Sequence, residues 1–447
     1  MIPYYFKLAW LSIRATPLLS LLMVLIIAIG IATSMVAYTI TYMMSKHPLE
    51  AKADTVFKVY LNAWNASRPY KEKNGKEQAA DLLTYMDYTN LSTAHKNSKI
   101  VKTHTPVAQH KALIRTPQQA KAEAQMRYMY TVNKSFFTMF DSPFLYGAPW
   151  TTQSDEKGGL DVVISKPFND LVFKGQNSVG KPLMIGEHTF TVSGVLDTWL
   201  PVPKYFDYAS YAYNKPHDLY VPFKTQINSQ LYLGPYFPIY CPSLPENITF
   251  HTILESDCLW LFLWVELNDS NQRDAYSALL KDYDEQQKQL GRFPRPINSY
   301  VRNISEHFVY AGVVPEHSKM AVWLAFAFLA VCLLNCMSLL VNKFYNKRNE
   351  IGLRRAIGAS KQQIALQFGC ETVLIGLVGG IFGLLLAQVG LLTARNIFHF
   401  LNISFMQMDA LLVISTLILA VCSTCLFGLW PIYKAIKIQP SSQLKSL

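Results

Sequence analysis

Four long apolar runs along the chain predict membrane-spanning helices. They lie at residues 18–41, 320–341, 372–392 and 410–430, and none contains an Asp, Glu, Lys or Arg residue. A helix needs roughly 20 apolar residues to cross a bilayer, so each run is long enough. Because only 51% of all residues are hydrophobic, we expect a protein that is partly embedded in the membrane.

The long segment between the first two runs, residues 46–318, has the pattern of a water-soluble domain. It combines alternating apolar and polar positions with turn residues, as half-buried strands do. Predicted strands lie at 55–61, 127–132, 161–165, 181–185, 189–195 and 259–267. Residues 272–289 have the pattern of a helix, and Gly186 begins a compact hairpin turn. The expected fold is therefore an α-helical membrane protein with four transmembrane helices and a large α+β domain between the first two.

The distribution of charge predicts which side of the membrane each segment occupies. Residues 1–17, 342–371 and 431–447 together carry 11 Lys and Arg residues against two Glu residues. Residues 46–319 are nearly neutral, with 29 Lys and Arg against 27 Asp and Glu. Short loops rich in Lys and Arg stay in the cytoplasm, so both termini are predicted inside and the large domain outside. Most of the net charge of +11 is thus a topology signal, and no clustered patch of the nucleic-acid-binding kind is present.

The first apolar run lies close to the amino terminus but does not have the form of a cleaved signal peptide. It is longer than the apolar core of such a peptide, which spans roughly 7–15 residues, so we expect an uncleaved anchor. Ahead of it, the segment 2–14 places four residues on one helical face, namely Phe6, Ala9, Trp10 and Ile13. This pattern predicts a helix in the inner membrane interface, with a plain extension of the first span as the alternative.

These patterns divide the chain into consecutive segments. The predicted segments are a cytoplasmic amphipathic helix (1–17), transmembrane helix 1 (18–45), a periplasmic domain (46–318), transmembrane helix 2 (319–342), a cytoplasmic loop region with a helix (343–366), transmembrane helix 3 (367–393), a short periplasmic turn (394–408), transmembrane helix 4 (409–431) and a cytoplasmic tail (432–447). Shifts in composition separate the periplasmic domain into one lobe formed by about 46–132 and 259–318 and an inserted lobe formed by about 133–258.

The seven cysteines leave room for one disulfide in the external domain. Five of them lie in or beside the apolar runs, where Cys behaves as a small apolar residue, and only Cys241 and Cys258 lie in the external domain. Thiols outside the cytoplasm often pair, but spacing alone does not show that two Cβ atoms meet, so this disulfide stays open. The external domain contains neither a C-x-x-C pair nor a His cluster, so no metal site is expected, and the ten His are interpreted as solvated surface residues.

The sequence carries no motif for catalysis. It lacks the G-x-x-x-x-G-K-[ST] loop of P-loop ATPases, the H-E-x-x-H motif of zinc proteases and the G-x-S-x-G elbow of hydrolases. We therefore expect no enzyme activity, no catalytic residue and no cofactor bound by this chain. The apolar runs also lack the charged residues that line a route for ions or polar solutes, which favours transmission of motion through the membrane.

The third apolar run contains closely spaced glycines. Gly376 and Gly380 form one small-x-x-x-small pair, and Gly379 and Gly383 form a second. Such pairs allow two helices to approach closely in a membrane. The sequence leaves open whether they pack within the chain or across a dimer.

The segment between the second and third runs, residues 343–361, is strongly basic. It holds six Lys and Arg residues and one Glu residue. Four of its residues fall at helical spacing, namely Ile351, Arg354, Arg355 and Gly358. Gly358 is suited to end this helix. A charged helix at the inner face of a membrane is suited to receive force from a soluble partner.

Several stretches of the chain carry the motifs of a known family. They are residues 7–32, 180–195, 350–360, 363–371, 379–383 and 428–444. These stretches resemble the MacB/FtsX-type permeases of ABC transporters, the mechanotransmission class. The resemblance implies four spans, a bacterial inner-membrane location and a periplasmic domain in which the lobe of 46–132 and 259–318 is porter-like. It also implies a dimer with a second copy or with a paralogous permease, and the sequence leaves that choice open.

The resemblance further implies partners and site residues. Permeases of this class work with a P-loop ATPase that uses ATP and Mg²⁺, and because this chain begins at the membrane we expect a separate ATPase subunit. The coupling helix seated on that ATPase would comprise Glu350, Ile351, Gly352, Leu353, Arg354, Arg355, Ala356, Ile357, Gly358 and Ala359. Arg354 and Arg355 are candidates for pairing with acidic groups of the ATPase or for anchoring lipid headgroups. Glu350 is expected to cap the start of the helix or to pair with Arg354.

Three functions remain open at this point. The leading one is the permease subunit of an ATP-driven transporter that expels peptides, toxins or antibiotics from the periplasm with an adaptor and an outer-membrane channel. The second is a permease that releases lipoproteins or activates cell-wall hydrolases. The third is an ATP-independent membrane sensor or receptor, which the short cytoplasmic segments disfavour because a sensor needs an output domain there.

Overall fold

A computed structural model of the chain describes most of its residues. They are 2–45, 49–66, 70–73, 75–117, 120–201, 203–207, 212–229, 239–243, 247, 249–397 and 410–437. The chain divides into two compact units, one formed by Met1–Lys46 with Val314–Leu447 and the other by His47–Val313. Most of the periplasmic turn predicted at 394–408 and most of the tail predicted at 432–447 lie outside the described residues.

The described helices and strands are numbered in chain order. The α-helices are α1 (Ile2–Ala15), α2 (Pro17–Ser45), α3 (Tyr85–Lys96), α4 (Ser135–Met139), α5 (Thr152–Lys157), α6 (Lys166–Phe173), α7 (Phe223–Asn228), α8 (Phe250–Glu255), α9 (Arg273–Gln289), α10 (Ile304–Ala311), α11 (Glu316–Asn346), α12 (Arg348–Ala356), α13 (Lys361–Ile397) and α14 (Ala410–Ile436). The strands are β1 (Val56–Tyr60), β2 (Lys71–Lys73), β3 (Lys76–Gln78), β4 (Val101–Arg115), β5 (Gln125–Val132), β6 (Phe144–Gly147), β7 (Asp161–Ile164), β8 (Pro182–Ile185), β9 (His188–Leu196), β10 (Leu219–Pro222), β11 (Phe262–Leu267) and β12 (Tyr300–Asn303).

Four helices of the first unit, α2, α11, α13 and α14, are long and apolar enough to cross a membrane. The prediction of four transmembrane helices is therefore confirmed. Helix α1 is separated from α2 by a bend at Thr16, and Pro17 occupies the first position of α2, where a proline is tolerated. A separate helix of 14 residues, α1, therefore precedes the first span.

One face of α13 packs directly on α2. A Cβ atom added at Gly379 would lie 2.8 Å from Cγ2 of Ile27, and one added at Gly383 would lie 2.9 Å from Cγ2 of Ile31. Real Cβ atoms do not come this close to their neighbours, so only glycine allows this approach. The pair Gly379 and Gly383 therefore brings the two helices into near-backbone contact.

A second face of α13 packs on α14 in the same way. A Cβ atom added at Gly380 would lie 2.9 Å from Cβ of Ala420, and one added at Gly376 would lie 3.0 Å from Cβ of Thr424. The glycine pairs therefore contact two different helices of the same chain. Of the two alternatives that the sequence left open, the structure shows packing within the chain.

The second unit is built around a ten-stranded mixed sheet. Its strand order is β12-β1-β11-β4-β5-β10-β7-β9-β6, and β8 pairs with both β4 and β9. The expected α+β domain is confirmed, and six predicted strands and one predicted helix correspond to β1, β5, β7, β8, β9, β11 and α9. The longest strand, β4, has no counterpart among the predictions. It contains Pro106, which lies opposite Leu263 of β11, and a proline within a run is normally evidence against a central strand.

The sheet continues through both predicted lobes. Strand β5, which belongs to the first lobe, pairs in parallel with β10 of the inserted lobe. Large apolar side chains are buried on this shared sheet, including Tyr130 and Tyr220, whose ring centroids are 5.3 Å apart. The boundary between the lobes stays a prediction.

A disulfide joins Cys241 and Cys258. Beside it, Tyr240 and Leu259 form an isolated backbone bridge with N–H to oxygen distances of 3.0 and 2.9 Å. The disulfide and the bridge therefore connect the same two segments, which lie 17 residues apart at the cysteines. Closing a loop of this size restricts the unfolded chain and typically adds about 3 kcal/mol to stability.

The interpretation of every histidine as a solvated surface residue is wrong for several of them. His95, His110 and His307 are buried, because they lie on elements that face the sheet or its covering helices. His95 and the half-buried His104 form one cluster in which the ring centroids are 4.8 Å apart. Desolvation by burial lowers the pKa of His95 to about 3 and that of His104 to about 4. Both rings are therefore neutral at pH 7.

This cluster makes the stability of the chain depend on pH. An unfolded His binds its proton near pH 6.5, whereas these two bind theirs only near pH 3 and 4. The contribution of the two neutral rings to the stability of the fold is therefore complete above pH 6.5 and is lost as the pH falls. The free energy of unfolding should decrease below pH 6.5 by about 1.4 kcal/mol per pH unit for each ring. Chemical denaturation between pH 7 and 5 should show that the free energy of unfolding of His95→Gln/His104→Gln depends on pH clearly less steeply than that of the native chain. Substitution of the exposed His251 by Gln should leave the slope unchanged, and an equal slope in all three proteins would refute the assignment.

The glycine contacts give a second prediction. Gly383→Ala should lower the free energy of unfolding by about 1–3 kcal/mol, because the new methyl group would collide with Ile31. The matched control is Gly369→Ala in the same helix, where an added Cβ meets no atom within 4 Å. That control should be neutral or stabilising, since alanine favours a helix by up to about 1 kcal/mol over glycine. Thermal unfolding in mild detergent measures both, and equal midpoints would contradict the packing.

Candidate functional site

The candidate site is the short helix α12 between α11 and α13. It begins directly after Lys347 and ends at Ala356, and Gly358 follows with a φ of 110°, a value that favours glycine. The backbone N–H of Ala359 donates to the carbonyl of Arg354 at 3.0 Å and closes the last turn. The predicted helix and its predicted end at Gly358 are both present in the structure.

The next helix starts at once because its first turn is capped. The backbone N–H of Ser360 donates to Oε1 of Gln363 at 2.9 Å, and the N–H of Gln363 donates to Oγ of Ser360 at 3.2 Å. This reciprocal cap explains why α13 begins at Lys361, well ahead of its apolar run. Helix α12 is thus held between two long helices by very short connections.

Helix α12 has a buried face and an exposed face. Ile351 and Gly352 are buried, and Ile351 belongs to the apolar core of the helical bundle. On the opposite face Leu353 is 54% exposed and Ile357 is 79% exposed. We call Leu353, Ala356 and Ile357 the apolar ridge, since all three are exposed on this face. A charged helix at a membrane surface therefore presents apolar side chains to its surroundings.

The two arginines in the last turn of α12, Arg354 and Arg355, are engaged within the chain. Arg354 pairs with Glu350 at 2.7 Å and donates to Oε1 of Gln367 at 2.9 Å. Arg355 donates to the backbone carbonyl of Ile436, in the last turn of α14, at 3.4 Å. Of the two roles considered for Glu350, the structure shows the pairing with Arg354. Both arginines lie beside the apolar ridge in the sequence, and contacts within the chain hold their guanidinium groups in place.

The structure also contains a pair of charges that the sequence does not identify as partners. Lys343 in α11 and Glu371 in α13 lie 2.5 Å apart, and both side chains are fully buried. Both residues flank apolar runs, where they count toward the charge of the predicted cytoplasmic segment. No local signal identifies them as partners, because the contact depends on how α11 and α13 pack.

The remaining predicted site residues do not join α12. Gly376, Gly379, Gly380 and Gly383 lie farther along α13, at the contacts with α2 and α14. The two cysteines belong to the other unit. Within the described ranges, no group of three or more His, Cys, Asp or Glu side chains is arranged to hold a metal ion.

Comparison with known proteins assigns both halves of the chain. The family model described as the MacB-like periplasmic core domain matches residues 20–283. The family model described as the FtsX-like permease C-terminal domain matches residues 322–440, which includes α12 and the apolar ridge. The first model alone covers more than half of the chain.

Curated relatives carry the name macrolide export ATP-binding/permease protein MacB. The protein of Pasteurella multocida is 24% identical over 318 residues, which are 70% of this chain and 42% of the relative. The protein of Chlorobium luteolum is 33% identical over 109 residues, which are 24% of this chain and 16% of the relative. The chain thus spans less than half the length of these relatives.

Solved structures show weak similarity. The periplasmic region of MacB from Actinobacillus actinomycetemcomitans is 13% identical, with a TM-score of 0.36, and the match covers 57% of this chain and 93% of that structure. The extracellular domain of the ABC-type transporter YknZ from Gram-positive bacteria is 15% identical, with a TM-score of 0.34 and coverage of 56% and 100%.

Proposed function

The chain belongs to the MacB/FtsX-type permeases of ABC transporters, and we propose that it relays the motion of a separate ATPase subunit across the membrane. In this proposal the partner binds and hydrolyses ATP with Mg²⁺, and this chain supplies the surface that receives the motion. The observation that carries the proposal is the apolar ridge on α12, within the matched permease domain.

The ridge has the composition of an interface centre. Apolar side chains at the centre of an interface exclude water and supply most of the binding energy, while charged groups at the rim orient the partner. Leu353 and Ile357 lie one helical turn apart and would enter a groove of the ATPase together. Arg354 and Glu350 would form the rim, already ordered by their mutual contact.

The proposed orientation of the chain rests on the distribution of charge. The connection that holds α12 is rich in Lys and Arg, which supports a cytoplasmic position, where an ATPase has access to ATP. Both termini would then be cytoplasmic, and the α+β unit would lie in the periplasm of a bacterium with an inner membrane. The name of its periplasmic core family is consistent with this arrangement.

The transported material is proposed from the relatives. Their name, macrolide export ATP-binding/permease protein, supports export of macrolide antibiotics. We extend the proposal to efflux of toxins or peptides from the periplasm. Such efflux would involve a periplasmic adaptor, an outer-membrane channel and a dimer with a second copy or a paralogous permease. A membrane pathway for solute is not required, because the proposed role of the spans is to move the periplasmic unit.

The apolar ridge is tested by introducing charge. Leu353→Asp/Ile357→Asp should abolish ATPase binding, because loss of a central apolar contact costs at least about 2 kcal/mol, or roughly 30-fold in affinity. The chain is purified from native membranes in mild detergent, and the proteins that purify with it are identified. A P-loop ATPase should accompany the native chain and be lost from the variant. Leu290→Asp, at a position that is 72% exposed in the other unit, is the matched control and should retain the ATPase.

The same purification separates the alternatives. An adaptor or channel alongside the ATPase supports efflux, whereas a lipoprotein-processing or cell-wall partner supports the second function. A folded native chain that brings down no ATPase would refute the coupling role and favour a sensor.

A further inference from the structure

The buried pair of Lys343 and Glu371 is part of a larger polar cluster. Ser20 accepts a hydrogen bond from Nζ of Lys343 at 2.9 Å, and Ser12 donates to Oε1 of Glu371 at 2.7 Å. Lys347 donates to the hydroxyl of the same Ser12. We call these five residues the inner polar cluster. It joins α1, α2, α11 and α13, and Lys347 is the residue that immediately precedes α12.

The cluster is not explained by stability alone. Removing two charges from water is expensive, and a buried ion pair can often be replaced by apolar residues without loss of stability. Glu371 is an especially costly group, since Oε2 accepts no hydrogen bond from the residues that the structure describes. What the pair adds is a contact of defined length and direction between helices that otherwise meet through apolar side chains.

The positions of the five residues show what such a contact connects. Lys343 lies in the last turn of α11, directly ahead of α12, and Glu371 lies in α13, which begins shortly after α12 ends. The pair therefore links the end of α11, just before α12, to α13, just after it. Ser12 and Ser20 extend the network to the helix that precedes the first span and to the start of that span.

We propose that the inner polar cluster is a positioning centre through which displacement of α12 is passed to α1 and to the start of α2. This inference rests on the proposed function, because it concerns the motion that an ATPase would impose on α12. The first span leads into the periplasmic unit along the chain, so a connection to α2 would move that span together with α11. Lys343 and Glu371 are positioning residues in this account, and neither contacts a substrate.

The test replaces the pair without leaving a buried charge. Lys343→Met/Glu371→Leu keeps similar volume and removes the ion pair and its bonds to Ser12 and Ser20. The matched control is Glu316→Gln/Lys319→Met, which removes an exposed ion pair of 3.0 Å at the other end of α11. Hydrogen–deuterium exchange of the complex purified with its ATPase is measured with and without a non-hydrolysable ATP analogue.

In the native complex the nucleotide should change the exchange of both α12 and α1. In Lys343→Met/Glu371→Leu the change at α12 should persist, whereas the change at α1 should fall at least threefold. The control should behave like the native complex. An unchanged response of α1 in the apolar variant would overturn the proposal, and so would a loss of response at both helices together.

A second arm does not depend on an ATPase and so separates this inference from the proposed function. In the isolated chain in nanodiscs, the apolar variant should raise the exchange rate of α1 about tenfold while α13 stays within twofold of the native chain. The conservative variant Lys343→Arg, which keeps a positive charge beside Glu371, should lie nearer to the native rate than to that of the apolar variant. A uniform rise across all helices, or no rise at α1, would refute the cluster as a positioning centre.

Discussion

The absence of water from the bilayer interior is the constraint on which the membrane unit depends. Backbone N–H and C=O groups within hydrocarbon must be satisfied inside helices, so the side chains largely determine how the spans meet. Here that packing is unusually close, because glycines on two faces of α13 admit Ile27 and Ile31 of α2 on one side and Ala420 of α14 on the other. A helix held from two sides at this distance moves with its neighbours.

Close packing alone does not determine where a partner acts on the bundle. The short connection that contains α12 determines it. Helix α12 is buried through Ile351, ordered by the pairing of Arg354 with Glu350 and exposed at the apolar ridge. A partner that binds the ridge therefore acts on a helix whose other face is part of the bundle core. The buried contact between Lys343 and Glu371 joins the two helices that flank α12. It holds them in a defined relative position.

The parts of this structure that the sequence predicts are those governed by local or near-local patterns. The four spans follow from apolar length, and the end of α12 follows from Gly358. What the sequence did not predict depends on contacts between distant segments. Strand β4 contains Pro106 and is recognisable only with its partners, and the pairing of Lys343 with Glu371 appears only once α11 and α13 both pack on α2. The burial of His95 likewise follows from packing of α3 on the sheet.

The architecture of the periplasmic-type unit suits transmission of motion for an independent reason. The chain enters its sheet through β1 and leaves it through β12 and α10, and β1 and β12 are antiparallel neighbours in that sheet. The hydroxyl of Tyr60 in β1 also lies 2.6 Å from Nδ1 of His307 in α10, and both side chains are fully buried. Because a ladder of hydrogen bonds joins the entry and exit strands, a displacement of either is shared by both. Since the same sheet continues from β1 to β6 across both predicted lobes, the shared displacement reaches the whole unit and not one edge of it.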